Sequence, residues 1–350
     1  MIRPRPAVDA MAPYDPPRGG RLGKLRLDFN ESTAGPSPRV LEALRAATAE
    51  ELAIYPEYGE AYAALAKHFG AGEDELLLTN GADLAIHSVV ETFVEAGDAV
   101  QLHAPAYAMF RFYAQVAGAR VVDVPYHEDL AFPLDEATLA LEKSPRLCVI
   151  ASPNNPTGTS VAEDELKSLF AGAPDTLFLL DEAYGDFLDD APGVRLALAH
   201  DNVVTLKTFS KAYGLAGLRL GVAIGRRELI GPMKKSHSPY SVSTLGVKCL
   251  VAALSDPGHV RRYVAEVREG RAALVTLLVR RGVDAVGGDA NFVIARLHAK
   301  ADTILTGLRA RGILVRDRRG MPLMNGCLRL GLGGTGENAR LFAALEELLP

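Results

Sequence analysis

This 350-residue sequence is poor in cysteine and lacks tryptophan: it has three cysteines and no tryptophan. Cys148, Cys249 and Cys327 lie far apart, are odd in number and form no C-x-x-C pair. This usage argues against a disulfide framework and is typical of core thiols in a reducing, cytoplasmic setting. The eight histidines show no metal-ligand spacing, so we expect no metal site.

Long apolar runs and basic stripes are missing as well. No run approaches the ~20 apolar residues that cross a membrane, and the opening MIRPRPAVDAMAPYDPPRGG has no apolar stretch of signal-peptide length. The formal net charge is −5 and no arginine-rich arm is present, which argues against nucleic acid and anionic membranes as partners. We therefore expect a soluble, cytoplasmic protein.

Short apolar runs alternate with helical stretches in the first two thirds of the chain. These runs are rich in Val, Leu and Ile and are bounded by Gly, Pro, Asp or Asn; they cover residues 75–81, 98–105, 119–125, 146–152, 176–184, 202–210 and 218–225. Continuous apolar runs are typical of strands buried on both faces. Their alternation with helices predicts an α/β fold with a mostly parallel sheet.

The pattern changes after about residue 240. A long helical stretch at 244–282 leads to two apolar runs near 290–297 and 312–317, a third at 326–333 and a final helix. We predict three parts: an N-terminal arm (1–37) that packs with the small domain, a large domain (38–240) and a smaller α+β domain (241–350). The length of the chain is sufficient for two domains.

Polar residues follow five of the predicted strands. They lie at residues 80–83, 105–107, 153–158, 181–184 and 210–211. In an open α/β sheet, ligands bind beyond the carboxyl ends of the strands. We therefore expect these five segments to meet at one edge of the sheet and to form the functional site.

The residue types in these segments match the chemical needs of one cofactor, pyridoxal phosphate. Its aldehyde bonds to a lysine amine, and its ring nitrogen needs a carboxylate to stay protonated. Its ring oxygen needs hydrogen-bond donors. Its phosphate needs backbone amides at a helix N-terminus together with hydroxyls and an arginine.

Each of these needs has a candidate residue in the sequence. Lys211 is the predicted amine, Asp181 the partner of the ring nitrogen, and Tyr184 and Asn155 the donors to the ring oxygen; we assign catalytic roles to Lys211, Asp181 and Tyr184. Tyr107 can stack on the ring. The predicted phosphate cradle consists of Gly81, Ala82, Asp83, Thr208, Ser210 and Arg219. Taken singly, these residues have ordinary explanations as turns, caps or surface charges, but those explanations do not predict the order of all the parts.

Three motifs carry a resemblance to a known family. SPNNPTG at 152–158, LDEAY at 180–184 and TFSKAYGLAGLRLG at 208–221 resemble the motifs of class I/II, fold-type-I aminotransferases. More narrowly, the chain is similar to histidinol-phosphate aminotransferases through MAPYDPPRGG, LDFNES, IYPEY and GILVRDRRGMPLMNGCLRLGLG. The resemblance implies the pyridoxal-phosphate-dependent transferase fold, in which a mostly parallel seven-stranded sheet lies between helices beside a smaller α+β domain.

The same resemblance implies partners and further site residues. Tyr55 would reach the phosphate of the neighbouring subunit's cofactor, so the protein would be a homodimer with shared sites. An amino donor and a 2-oxo acid, expected to be 2-oxoglutarate, would be the small-molecule substrates. The implied substrate-binding residues are Tyr14, Asn30, Asn155, Arg316 and Arg329.

Some positions depart from the family pattern and leave the amino donor open. Ile54 stands where the family often has arginine, Leu84 where an acidic residue is common, and Gly331 and Gly334 where β-branched or hydroxyl residues are usual. Histidinol phosphate is the expected donor. The alternatives are an aromatic or other amino acid, a decarboxylation like that of threonine-phosphate decarboxylases, and a non-catalytic domain that binds the cofactor as an effector.

Overall fold

The computed structural model describes residues 2–12 and 19–349. Within these residues the strands are β1 (Leu25–Leu27), β2 (Leu76–Asn80), β3 (Ala99–Ala104), β4 (Arg120–Pro125), β5 (Leu147–Ala151), β6 (Leu177–Asp181), β7 (Val203–Thr208), β8 (Leu220–Gly225), β9 (Asp284–Val286), β10 (Phe292–Arg296), β11 (Ile313–Asp317) and β12 (Cys327–Gly331).

The helices of the described residues connect and cover these strands. They are α1 (Pro6–Asp9), α2 (Pro38–Arg45), α3 (Ala49–Ala53), α4 (Gly59–Phe69), α5 (Gly81–Phe93), α6 (Ala108–Ala117), α7 (Leu134–Leu141), α8 (Glu163–Gly172), α9 (Gly193–Ala199), α10 (Arg227–Ser236), α11 (Thr244–Leu254), α12 (Pro257–Arg280), α13 (Ala301–Ala310) and α14 (Thr335–Leu348). None of them has the length and apolar character needed to cross a membrane.

Seven strands form the larger sheet, in the order β2-β8-β7-β6-β5-β3-β4. The neighbours from β7 through to β4 are parallel, and β8 alone runs antiparallel, against both β7 and β2. The prediction of a mostly parallel seven-stranded sheet is confirmed. Every residue of β6, β7 and β8 is buried, as expected for strands that helices cover on both faces.

The apolar side chains of this sheet divide between two layers. In β6, Leu179 packs into one layer with Ile86 of α5, whereas Phe178 packs into the other with Phe170 of α8. This alternation follows from the two-residue period of a strand. The sheet is therefore held rigidly between helices, and polar groups at its carboxyl edge have fixed positions.

The smaller sheet has the order β1-β11-β12-β10-β9. β1 comes from the N-terminal segment and pairs in parallel with β11, whereas the other pairs are antiparallel. The predicted helical stretch 244–282 is divided into α11 and α12 at Pro257, which lacks an N–H and begins the second helix. The proposed domain divisions at residues 37 and 240 remain predictions.

Candidate active site

Strand direction brings the predicted site residues to one edge of the large sheet. β2, β5, β6 and β7 are parallel to one another, so the segments that follow them meet at their carboxyl ends. β8 runs the opposite way, and Arg219 directly precedes it. Arg219 therefore reaches the same edge as Ser210 and Lys211, which follow β7.

A cleft of about 270 Å³ opens at this edge. It brings together ten of the residues predicted to bind the cofactor: Ala82, Asp83, Tyr107, Asn155, Asp181, Tyr184, Thr208, Ser210, Lys211 and Arg219. Phe29, Glu31, Ala151, Pro153, Ala183 and Ala216 complete the lining. These six were not predicted: five are apolar and carry no residue-type signal, and the sixth, Glu31, is a carboxylate that pairs with Arg21 at 2.6 Å.

Lys211 lies on the loop that follows β7. Its Nζ donates a hydrogen bond to the carbonyl of Phe29 at 2.9 Å and lies 5.9 Å from the ring centre of Tyr184. Gly214 turns the loop with φ +70°, and a Cβ there would lie 2.5 Å from the backbone of Gly35. The glycine is required because the loop packs against the N-terminal segment at this point, which fixes the position of the lysine.

Asp181 is the last residue of β6 and is only 6% exposed. Its Oδ1 accepts a hydrogen bond from the backbone N–H of Ala183 at 2.8 Å. Burial raises the pKa of Asp181 to about 6, and the charges of Asp83 and Glu182 act in the same direction. A carboxylate buried at the cleft in this way is stabilised by a cation, and the protonated ring nitrogen of pyridoxal phosphate fits this requirement.

Tyr184 and Asn155 supply hydrogen-bond donors to the same cleft. Asn30 donates through Nδ2 to the Tyr184 hydroxyl at 2.8 Å, so that hydroxyl keeps its own hydrogen for another acceptor. Asn155 accepts through Oδ1 from Nη1 of Arg329 at 2.6 Å, which leaves its amide hydrogens for the cleft. Both side chains fit the ring oxygen of the cofactor.

Tyr107 lines the cleft near the start of α5. Its hydroxyl donates to Oδ1 of Asp83 at 2.9 Å, and burial, reinforced by the Asp83 charge, raises the pKa of Tyr107. The tyrosine is therefore a neutral aromatic wall. A flat heteroaromatic ring fits beside such a wall.

The start of α5 forms an anion cradle. Asn80, at the N-cap, makes no capping bond and instead donates to the Ser241 carbonyl at 2.9 Å, so its side chain leaves the first amides of this 13-residue helix uncapped. Arg219 lies across them, with Nη2 3.1 Å from Asp83 Oδ2 and Nη1 3.4 Å from Ser210 Oγ. Gly81 has φ +79°, and a Cβ there would lie 2.6 Å from Arg219 Nη2. The donor set fits a phosphate.

Two predicted substrate arginines lie beside this cleft, opposite each other on β11 and β12. Arg329 is only 2% exposed and donates through Nη2 to the carbonyl of Asp28 at 2.6 Å; its Nε has no hydrogen-bond partner among the described residues. Burial, together with the neighbouring charges of Arg318 and Arg316, lowers the pKa of Arg329 to about 9. The Arg316 guanidinium lies 5.0 Å from the ring centre of Phe29.

Tyr55 is predicted to bind the cofactor but is not among the residues that line this cleft. Tyr55 is 75% exposed and stacks against Tyr240 with ring centres 4.6 Å apart. Its proposed contact lies in a neighbouring subunit and stays a prediction. Tyr14 lies outside the described residues.

Comparison with known proteins places this geometry in a family. The model of the aminotransferase class I and II family matches residues 23–345. The chain is 37% identical to the histidinol-phosphate aminotransferase of Symbiobacterium thermophilum, covering 100% of this chain and 99% of the relative. It is 34% identical to that of an Anaeromyxobacter species, covering 98% of both.

Solved structures agree with these matches. The histidinol-phosphate aminotransferase of Sinorhizobium meliloti, in complex with pyridoxal-5'-phosphate, superposes with a TM-score of 0.88 at 28% identity, covering 100% of this chain and 98% of the other. An aspartate aminotransferase of Thermus thermophilus shares the fold, with a TM-score of 0.81 at 22% identity over the whole of both chains. The chain belongs to the class I and II aminotransferases and is a pyridoxal-phosphate-dependent enzyme.

Proposed function

We propose that the enzyme transfers the amino group of histidinol phosphate to 2-oxoglutarate, reversibly, giving imidazole acetol phosphate and glutamate in histidine biosynthesis. The observation that carries this proposal is the pair Arg316 and Arg329 beside the cleft. Among the described residues neither arginine forms an ion pair with a carboxylate, so both charges are available to an anionic substrate. The names of the most similar relatives support the same donor.

The cofactor would be held by the residues that surround the cleft. Lys211 would bond to its aldehyde, Asp181 would face its ring nitrogen, and Tyr184 and Asn155 would donate to its ring oxygen. The phosphate would lie at the start of α5, held by Ala82 and Asp83 amides, the hydroxyls of Thr208 and Ser210, and Arg219. Gly81 leaves the space that the Arg219 guanidinium needs.

The reaction requires a base and an electron sink. When bound, pyridoxal phosphate supplies the sink, because its protonated ring withdraws electrons from the carbon that carries the amino group. Asp181 keeps that ring nitrogen protonated. Lys211 would leave the aldehyde when the amine of the donor takes its place, and its freed Nζ, which the carbonyl of Phe29 can hold at the cleft, would then take the proton from that carbon as the general base.

The anion contacts fix the other end of the donor. Arg329 is buried, and its guanidinium is held in one orientation by hydrogen bonds to Asn155 and Asp28. A guanidinium held in this way can pair with a carboxylate or a phosphate. Arg316 adds a second positive charge from the neighbouring strand. We propose that Tyr14 and Asn30 complete the substrate contacts.

We also propose a homodimer in which Tyr55 completes the site of the other subunit. Leu52, Ile54, Tyr55 and Tyr240 are large apolar side chains that are more than half exposed in the single chain. A concentration of exposed apolar groups of this kind is typical of an interaction surface. Three buried free cysteines are in keeping with the proposed cytoplasmic setting.

A panel of amino donors with 2-oxoglutarate tests the proposed donor. Histidinol phosphate should give the highest kcat/KM, and histidinol, which differs only in lacking the phosphate, should fall by about a hundredfold or more, because two arginine contacts are lost. Preference for phenylalanine would establish the aromatic aminotransferase. Release of carbon dioxide from threonine phosphate without amino transfer would establish the decarboxylase.

A further inference from the structure

Three consecutive backbone carbonyls in the segment after β1 each accept a hydrogen bond from a distant side chain. The pairs are Asp28 with Arg329 Nη2 at 2.6 Å, Phe29 with Lys211 Nζ at 2.9 Å, and Asn30 with Asn291 Nδ2 at 3.1 Å. The arginine and the lysine already have proposed roles at the cleft. Asn291 is the one donor of the three without a role.

Asn291 has a fixed position in the smaller sheet. It directly precedes β10 and is fully buried. Its backbone carbonyl accepts from the N–H of Leu332 at 2.9 Å, which extends the antiparallel pairing of β10 with β12 by one residue. Because the backbone belongs to the sheet and the side chain lies in a closely packed interior, the amide has little freedom to move.

The backbone of Asn30 needs the support that this amide gives. Asn30 has φ +57°, in the left-handed region that asparagine tolerates but does not prefer. The residue is only 2% exposed, and a buried carbonyl without a partner is costly. The hydrogen bond from Asn291 satisfies this carbonyl and stabilises the conformation, so it also fixes the direction of the Asn30 side chain.

The side chain of Asn30 in turn orients Tyr184. Its Nδ2 donates to the Tyr184 hydroxyl at 2.8 Å, and the tyrosine ring packs edge-on against Phe292 with ring centres 5.5 Å apart. A phenol has a single hydrogen to donate. Among the described residues this hydroxyl makes no other hydrogen bond, so its hydrogen is left for an acceptor in the cleft.

We propose that Asn291 is a positioning residue for the cofactor: by holding Asn30 it orients the Tyr184 hydroxyl so that this group donates to the ring oxygen. The inference rests on the proposed function, since it assumes that Tyr184 donates to that oxygen. Asn291 is not among the residues that line the cleft and acts through two others. It connects the smaller sheet, which carries Arg329, with the cofactor site.

A pH titration of the visible absorption of the holoenzyme, without substrate, tests this inference. The absorption of the lysine-bound cofactor changes as its nitrogen loses a proton. A hydrogen bond to the ring oxygen favours the more negative, high-pH form, so loss of that bond raises the midpoint. Tyr184→Phe should raise it by about 1–2 pH units and Asn291→Ala by about 0.5–1 pH unit. Because no substrate is present, contacts of Asn30 with the donor do not contribute.

The chain offers a matched control in Asn202, whose Nδ2 also donates to backbone carbonyls. Those acceptors are Phe170, Ala173 and Thr176, at 3.1–3.2 Å. Asn202 directly precedes β7, at the end of the strand opposite the cleft. Asn202→Ala should therefore lose stability but keep the parental midpoint.

A double variant separates a role through Tyr184 from general damage. Adding Asn291→Ala to Tyr184→Phe should move the midpoint by less than about 0.3 pH unit, because the effects of residues that act through one another do not add. If Asn291→Ala does not fold, Asn30→Gly tests the same link, since glycine adopts φ +57° without strain and lacks the amide. Its midpoint should also rise.

The outcomes distinguish this inference from the function on which it rests. A parental midpoint in Asn30→Gly or in folded Asn291→Ala would overturn the inference while the proposed function stands. An equal rise in Asn202→Ala, or a further full rise in the double variant, would do the same. A parental midpoint in Tyr184→Phe would instead overturn the cofactor placement in the proposed function.

Discussion

In the proposed mechanism, turnover depends most directly on Lys211. Its Nζ lies at the cleft, held by the carbonyl of Phe29 at 2.9 Å. Lys211→Ala should abolish the visible absorption of the lysine-bound cofactor and nearly all turnover, because the bonding amine and the base are lost together. Free cofactor should still bind through the cradle at the start of α5. Lys235→Ala, at an exposed lysine of α10, is the control and should leave both readouts unchanged.

We propose that Asp181 sets the electronic state of the cofactor. Asp181→Asn keeps the shape of the side chain and the acceptor for the N–H of Ala183, but removes the charge beside the ring nitrogen. One preorganised electrostatic group is worth roughly 3–4 kcal/mol in a transition state, so kcat should fall by about two to three orders of magnitude. A rate within about tenfold of the parent, or roughly 1.4 kcal/mol, would mean that another residue holds the nitrogen.

Asp181 also makes the cofactor-free protein sensitive to pH. Burial raises its pKa from 3.8 to about 6, so the folded state binds this proton more tightly than the unfolded state. The stabilisation of the folded state by this bound proton is complete below about pH 4 and is lost as the pH rises through about 6. Apo Asp181→Asn should therefore be more stable than the apo parent at pH 7–8, by up to roughly 3 kcal/mol. Thermal unfolding from pH 4 to 8 measures this; parallel curves for the two proteins would contradict it.

At the scale of the element, the N-terminus of α5 is the proposed binding site of the cofactor phosphate. Gly81→Ala would place a Cβ 2.6 Å from Arg219 Nη2 at φ +79°, so the cradle must open and the affinity of the apoenzyme for pyridoxal phosphate should fall about tenfold or more. Gly97→Ala is the matched control, since Gly97 has φ +93° with nothing within 4 Å of the added carbon. It should lose stability but keep cofactor affinity. Titration of the two apo variants with cofactor compares them.

The elements also show how far sequence reasoning reaches. The seven strands of the large sheet were predictable because each is a continuous apolar run bounded by turn residues. β1 and β9 were not predicted, because three-residue strands are too short for a periodic signal. The α11–α12 break depends on Pro257, which the apolar spacing of 244–282 conceals.

The features of the site also divide into those that local sequence motifs predict and those that they do not. Residues such as Lys211 and Asp181 belong to local motifs whose residue types match the cofactor, so they could be predicted from the sequence. The contact of Phe29 with Lys211 and the juxtaposition of Arg316 with Arg329 could not, since one is made by a backbone carbonyl and the other depends on the pairing of β11 with β12. No pattern along a single segment records either contact.

At the scale of the whole molecule, the proposed dimer has shared sites. Tyr55→Ala should then damage the site of the partner rather than its own. Mixing refolded Tyr55→Ala and Lys211→Ala subunits should restore up to about a quarter of parental activity, because half of the dimers of a symmetric pair would be hybrids with one intact site. Each variant alone should be nearly inactive. No recovery in a mixture shown to contain hybrid dimers would place Tyr55 in the site of its own subunit.

The central claim is that the enzyme removes the amino group of a phosphorylated donor and stores it on its cofactor. A single-turnover experiment tests this most directly: the holoenzyme is mixed with histidinol phosphate in the absence of a 2-oxo acid, and the visible absorption of the cofactor is followed. The account predicts that this absorption disappears with one equivalent of donor per site, faster than with phenylalanine at the same concentration. Added 2-oxoglutarate should then restore it with formation of glutamate. An unchanged spectrum with histidinol phosphate, together with full conversion by phenylalanine, would contradict the account.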